Sequence, residues 1–146
     1  MKVSLEKVLK AWVAIRSIEK QKGSNKWAYG ISKNKNRMQG DIDGIAASEK
    51  TLQELDNERV EICKKLAAKN ESGEPVFENG KYIGIDEKAE EFVAVLDKIK
   101  KAGDAHVALL TGETEIDLYQ IPFEEIPNEI APVDFENLAI MIAEPK

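Results

Sequence analysis

The segment NKWAYGISKNKNRMQGDIDGIAASEKTLQELDNERVEICKKLAAK, residues 25–69, places Ile31, Met38, Ile45, Leu52 and Leu66 on one seven-residue series. Ile42 and either Ile62 or Cys63 fill companion positions, which is the spacing of a helix with one apolar seam. A continuous helix of that length would reach about 65 Å at about 1.5 Å per residue. Glu49 and Arg59 stand where a strict coiled coil requires apolar groups, so the pattern predicts a helical hairpin packing on itself. Gly30, Gly40 and Gly44 each cost this helix about 1 kcal/mol relative to alanine, and a bend is expected near residues 39–44.

Toward the N-terminus, Ser4 can cap a first helix whose stripe is Leu5, Val8, Leu9, Trp12, Ile15 and Ile18. The helix is expected to run to about Lys22, with Gly23 and Ser24 as stop and turn. Toward the C-terminus, NESGEP ends the long helix, and Asn79-Gly80 between Val76/Phe77 and Tyr82/Ile83 predicts a tight β-hairpin. Two strands alone are marginal in water, so the hairpin must lie on a helix or gain a third strand, and the alternating residues 115–121 read as a strand that could supply it. Asp86 is expected to cap a further helix, with Glu87, Glu90 and Glu91 in its first turn and Phe92, Val95, Leu96, Ile99 and Ala102 as its stripe. The same phase continues through Gly103 to His106, Leu109 and Leu110. Pro132 suits the first turn of a last helix carrying Phe135, Leu138, Met141 and Ile142. The expected class is α+β and mostly helical: an antiparallel helical hairpin over residues 1–69 and a small head over residues 70–146, in one folding unit. The head combines the β-hairpin, a third strand and C-terminal helices.

Composition bounds the function. The 146 residues are 42% hydrophobic and 33% charged, a balance that predicts a folded, water-soluble domain. No apolar run is long enough to span a membrane, and the charged start MKVSLEKVLKAW does not read as a signal peptide. Cys63 and His106 are the only residues of their types, which excludes an intramolecular disulfide and a Cys/His zinc site. The net charge of −6 divides unevenly: residues 1–40 hold ten Lys/Arg against Glu6 and Glu19, and from Glu113 onward nine acids face Lys146 alone. Opposite blocks attract, so the two ends are expected to contact each other or a neighbouring copy.

Candidate chemistry is sparse. Lys33, Lys35 and Arg37 could form a basic patch for nucleic acid, but a solvated helix face is the favoured reading of that run. His106 has no Ser, Cys or acid in helical register to form a relay, and Cys63 fits a buried seam position. The string Asp41-Ile42-Asp43-Gly44 begins like a calcium loop, yet Leu52 falls where that loop needs a bidentate glutamate. No Gly-rich phosphate loop is present. No catalytic residue, metal ligand or cofactor is therefore assigned. Trp12 and Trp27 are expected to pack the closed end of the hairpin, or to form a binding hot spot if exposed. The candidate interaction residues are Trp12, Trp27, Lys33, Lys35, Arg37, Glu115, Asp117, Glu124 and Glu125.

The segments KNESGEPVFENGKYIGI, DEKAEEF, ETEIDLYQI and IPNEIAPVDFENLAIMI follow one another in an informative order. Together they resemble small phage and prophage proteins of a domain-of-unknown-function family. That family shows a charged helix ending in a D/N-E-x-G-x-P turn, a short NG-x-Y hairpin and a terminal E-I-E-L … I-x-P … L … M-I pattern. The resemblance covers about residues 50–146, and KKAGDAHVALLTG departs from it as a stretch the family shortens. It implies a phage-encoded origin and brings no catalytic residues. The expected function is protein–protein contact without catalysis, in particle assembly or as a virion component, with homo-oligomerisation through the seam. The alternative is an inhibitor of a host enzyme or defence protein, its acidic C-terminal segment imitating a phosphate backbone. The expected partners are proteins, phage structural or host, rather than nucleic acid or membrane, in the host cytoplasm or the virion. An enzyme using Cys63 or His106 is the least favoured reading.

Overall fold

A computed structural model describes residues 1–145; Lys146, the single base of the acidic tail, lies outside the described residues. The order of elements is β1 (Lys2–Ser4), α1 (Leu5–Ile18), α2 (Asn25–Leu66), β2 (Phe77–Glu78), β3 (Lys81–Tyr82), α3 (Glu90–Thr111), β4 (Glu113–Glu115) and α4 (Pro132–Asn137). Two 3-10 turns, Phe123–Glu125 and Ala139–Met141, punctuate the C-terminal segment. The protein is α+β and mostly helical. It groups into two compact units, Met1–Ala46 with the segment from Ala108 onward, and Ala47–Val107. The divisions thus fall within α2 and α3 rather than after residue 69.

In the first unit, Ser4 caps α1 by accepting a hydrogen bond from the Lys7 backbone N–H at 3.3 Å. Helix α1 stops at Ile18, four residues before the expected end, because Glu19 to Lys22 offer no apolar group to bury. Its buried residues Val8, Ala11, Ala14, Ile15 and Ile18 join Trp27, Ile31 and Met38 of α2 in one core. Ile116, Leu118, Ile121, Leu138 and Met141 from the C-terminal segment complete that core. Ser24 caps α2 through the Trp27 N–H at 3.2 Å, and the helix continues through Gly30, Gly40 and Gly44.

Gly30 has a packing reason that propensity alone hides. A Cβ there would lie 2.4 Å from Ile121 Cγ1 and 3.1 Å from Tyr119 Cδ1, so the glycine lets the C-terminal segment cross α2 closely. Ile121 is fully buried and its backbone is held by Met141 and Ala143. Gly30→Ala should therefore destabilise despite the better helix former. The clash costs up to about 3 kcal/mol and the helix regains about 1, leaving a net loss of about 1–2 kcal/mol as a fall in urea midpoint.

The residues expected to supply the hairpin's third strand do something else. Glu113–Glu115 pairs antiparallel with Lys2–Ser4, in the register Lys2 opposite Glu115 and Ser4 opposite Glu113. Beyond it the alternation holds, with Ile116, Leu118 and Ile121 buried and Asp117 exposed. Its polar backbone groups, however, pair with a helix side chain and with the chain end rather than with another strand. The last helix is also shorter than expected: α4 begins at Pro132 but ends at Asn137, and a 3-10 turn then carries Met141 into the core.

In the second unit, Phe77 pairs with Tyr82 and Glu78 with Lys81 across Asn79-Gly80, whose φ angles of 53° and 78° are those the two-residue turn requires. The hairpin's extra partner is the stretch just after α2. Ala68 donates to the Ile83 carbonyl at 2.9 Å and accepts from the Val76 N–H at 2.8 Å. Asp86 caps a turn rather than the helix: its Oδ1 accepts from Lys88 N–H at 3.0 Å, and α3 starts at Glu90. The helix then passes through Gly103 without interruption. Within this unit α2 and α3 run antiparallel, joined by Lys65–Glu91 at 3.0 Å, Lys98–Glu58 at 3.5 Å and Ser48–His106 at 2.8 Å. Leu96, expected on the inner stripe of α3, is exposed, and Val95 is the residue that is fully buried.

Candidate functional site

The charged candidates are largely satisfied within the protein, because α2 brings the basic stretch against the acidic C-terminal segment. The Arg37 guanidinium donates to the Asp117 carboxylate at 2.7 Å and to the Asp117 backbone carbonyl. Lys33 places its ammonium 5.2 Å from the Tyr29 ring centroid and 5.5 Å from that of Tyr119. Lys35 points the other way, to Glu19 at 2.7 Å and over the Trp12 ring at 5.8 Å. Three side chains two residues apart on a helix cannot share one face, so the expected basic patch is split. The Lys35 hydrogen bond and charge hold the Glu19 carboxyl below its ordinary range. A lowered carboxylate favours the folded state above its unfolded pKa and loses that contribution as pH falls through the folded value.

On the acidic side, Glu115 holds the N-terminal ammonium at 2.7 Å and Glu125 meets Lys26 at 3.7 Å. Glu124 is exposed and makes no ion pair among the described residues. The opposite charge blocks thus meet within the chain, one of the two outcomes expected from their asymmetry. Trp27, proposed from the sequence as an interaction residue, is buried at 2% exposure and presents no face to a partner. Trp12 is half-buried against the core.

The sequence reading missed a polar series on α2. Three residues beyond Ile31, Met38 and Ile45 stand Asn34, Asp41 and Ser48, and each has a partner far along the chain. Asn34 is fully buried; its Nδ2 donates to the Tyr119 carbonyl at 2.9 Å, and its Oδ1 accepts the Tyr119 N–H at 2.7 Å. In effect an amide side chain replaces a neighbouring strand for Tyr119. Asp41 accepts from Thr114 Oγ1 at 3.3 Å. Ser48 Oγ lies 2.8 Å from His106 Nδ1 in a half-buried position. The signal was available: a polar group repeated at the companion position of an apolar heptad predicts buried hydrogen bonds.

The Ser48–His106 pair is the structure's nearest approach to a nucleophile and base. None of the five surface grooves described includes either residue in its wall. Cys63 is 5% exposed and forms part of the wall of a groove of about 490 Å³, together with Arg59, Lys64, Phe77, Lys81, Tyr82 and Phe92. Among the described residues no three His, Cys, Asp or Glu side chains gather as a metal site, and no helix is long and apolar enough to cross a membrane.

The strongest surface features are apolar. Phe123 and Phe135 meet edge to face at 6.1 Å in the first unit and remain exposed, beside Glu124 and Glu136. In the second unit Val93, Leu96 and Val107 of α3 are exposed at 50%, 41% and 60%. No protein-family model matches this chain, and no curated protein or solved structure shows significant similarity to it.

Proposed function

We propose that this is a non-catalytic, phage-type protein that works by protein–protein contact, assembling with itself and with particle components in the host cytoplasm or the virion. One observation carries the contact reading: the core of the second unit is thin. Among residues 47–107 the buried hydrophobic residues are Cys63, Ala67 and Val95, while Leu52, Leu55, Ile62 and Ile99 stay half-exposed. A helix pair with so little interior gains stability by covering its flanks with another molecule. The phage setting rests on the resemblance of residues 50–146. Sedimentation at low and high salt tests the contact reading. A concentration-dependent oligomer is expected, held mainly by apolar burial and so persisting in high salt; a monomer under every condition would overturn it.

A second reading draws on the first unit. The exposed Phe123–Phe135 pair beside acids without ion pairs suits the basic surface of a host protein. Reciprocal capture separates the two: recovery of particle proteins supports assembly, and stoichiometric recovery of a single host protein that is lost in Phe135→Ala supports inhibition.

A further inference from the structure

We infer that one face of α3 pairs with the same face of a second copy, antiparallel and two-fold symmetric about Lys100. This rests on the contact reading above and names its surface. Because Glu91, Lys98 and His106 turn toward α2, the residues Val93, Leu96, Lys100, Gly103 and Val107 line a different face, recurring at three- and four-residue steps. Val93, Leu96 and Val107 are the exposed apolar members.

The stripe is close to palindromic. Val93 lies seven residues before Lys100 and Val107 seven after it, while Leu96 and Gly103 lie four before and three after. In an antiparallel pair centred on Lys100, Val93 meets Val107 of the second copy, and Leu96 lies over its Gly103. Gly103 itself has nothing within 4 Å of where a Cβ would stand, so packing within the chain gives no reason for a residue that disfavours helix. Close approach of a second helix does.

Charge selects the same arrangement. Lys98 is engaged with Glu58 and Lys101 with Asp97, whereas Lys100 and Asp104 are exposed and make no ion pair among the described residues. With the axis at Lys100 the two lysines flank it, and each can reach Asp104 of the other copy about 6 Å along the helix, giving two symmetric ion pairs. A parallel pair would also set aspartate beside aspartate, which the antiparallel pair holds about 12 Å apart along the axis.

Spin labels placed singly at Lys101→Cys and Glu90→Cys, in a Cys63→Ala background, read the geometry directly. The antiparallel pair predicts a short separation at 101 and about 30 Å along the axis at 90, since about 20 residues of helix then divide the two sites. Short distances at both would indicate parallel pairing and overturn the inference. Independently of that background, Leu96→Glu in the otherwise unaltered protein should raise the dissociation constant of self-association roughly tenfold or more with unchanged circular dichroism. An oligomer as tight as the original would overturn the α3 surface but leave the contact reading standing. An original protein that is monomeric at every salt concentration would overturn both.

Discussion

Replacing Asn34 by alanine should lower the unfolding free energy by about 2–4 kcal/mol, because it leaves two half-buried backbone groups without partners at once. The Asn34 side chain is fully buried and serves both the N–H and the carbonyl of Tyr119. Each group left without a partner costs about 1–3 kcal/mol, and no neighbouring strand is present to take over. The loss is a large share of the stability a domain of this size commonly has, about 5–15 kcal/mol. Both tryptophans belong to the first unit, so urea unfolding followed by their fluorescence reports on the unit that holds Asn34. The midpoint should fall steeply in Asn34→Ala and stay nearly constant in Asn36→Ala, where the side chain is exposed. Equal midpoints in the two variants would refute the role given to Asn34.

Gly84→Ala should cost about 2–4 kcal/mol in the second unit. Gly84 has a φ of 75°, where an L side chain pays about 1–2 kcal/mol. Its Cβ would also stand 2.7 Å from Ala68 Cβ and 3.1 Å from the Ala68 backbone nitrogen. Ala68 cannot retreat without giving up the hydrogen bonds to Ile83 and Val76 that attach the hairpin to the end of α2. Gly80→Ala is the matched control: its φ is 78°, but nothing lies within 4 Å of the added carbon. Hydrogen exchange at the Ala68 and Ile83 amides should accelerate markedly in Gly84→Ala and only slightly in Gly80→Ala. Similar acceleration in both would mean that conformational strain alone explains the glycine.

What could be read directly depended on how local each signal is. The Ser4 cap, the Asn79-Gly80 turn and the start of α4 at Pro132 are decided by a few adjacent residues, and all three stand where the sequence places them. The long helix was legible from its seven-residue repeat. The segment does not join the hairpin, and the sequence could not say so, because alternation reveals which side chains are buried and not which backbone groups they face. Ile116, Leu118 and Ile121 are buried as the pattern implies, yet Tyr119 pairs with Asn34 and Ile121 with Met141 and Ala143. The site candidates fared similarly. Charge asymmetry foretold that the two ends would meet each other or a neighbouring copy, while the partnering of Arg37 with Asp117, or Lys35 with Glu19, depended on which side of α2 each lysine or arginine occupies.

By itself, then, the chain's order of residues determined a mostly helical α+β protein, its turns and caps, the burial of Cys63 and the attraction between a basic start and an acidic end. Tertiary structure alone decided that Asn34, Asp41 and Ser48 find their partners more than fifty residues away, and that Trp27 is interior. It alone decided that α3 keeps an apolar face outside. The physical reason is range: propensity, capping and periodicity act within a few residues. Hydrogen-bond satisfaction and burial are settled only when distant segments meet, and the sequence does not state those meetings.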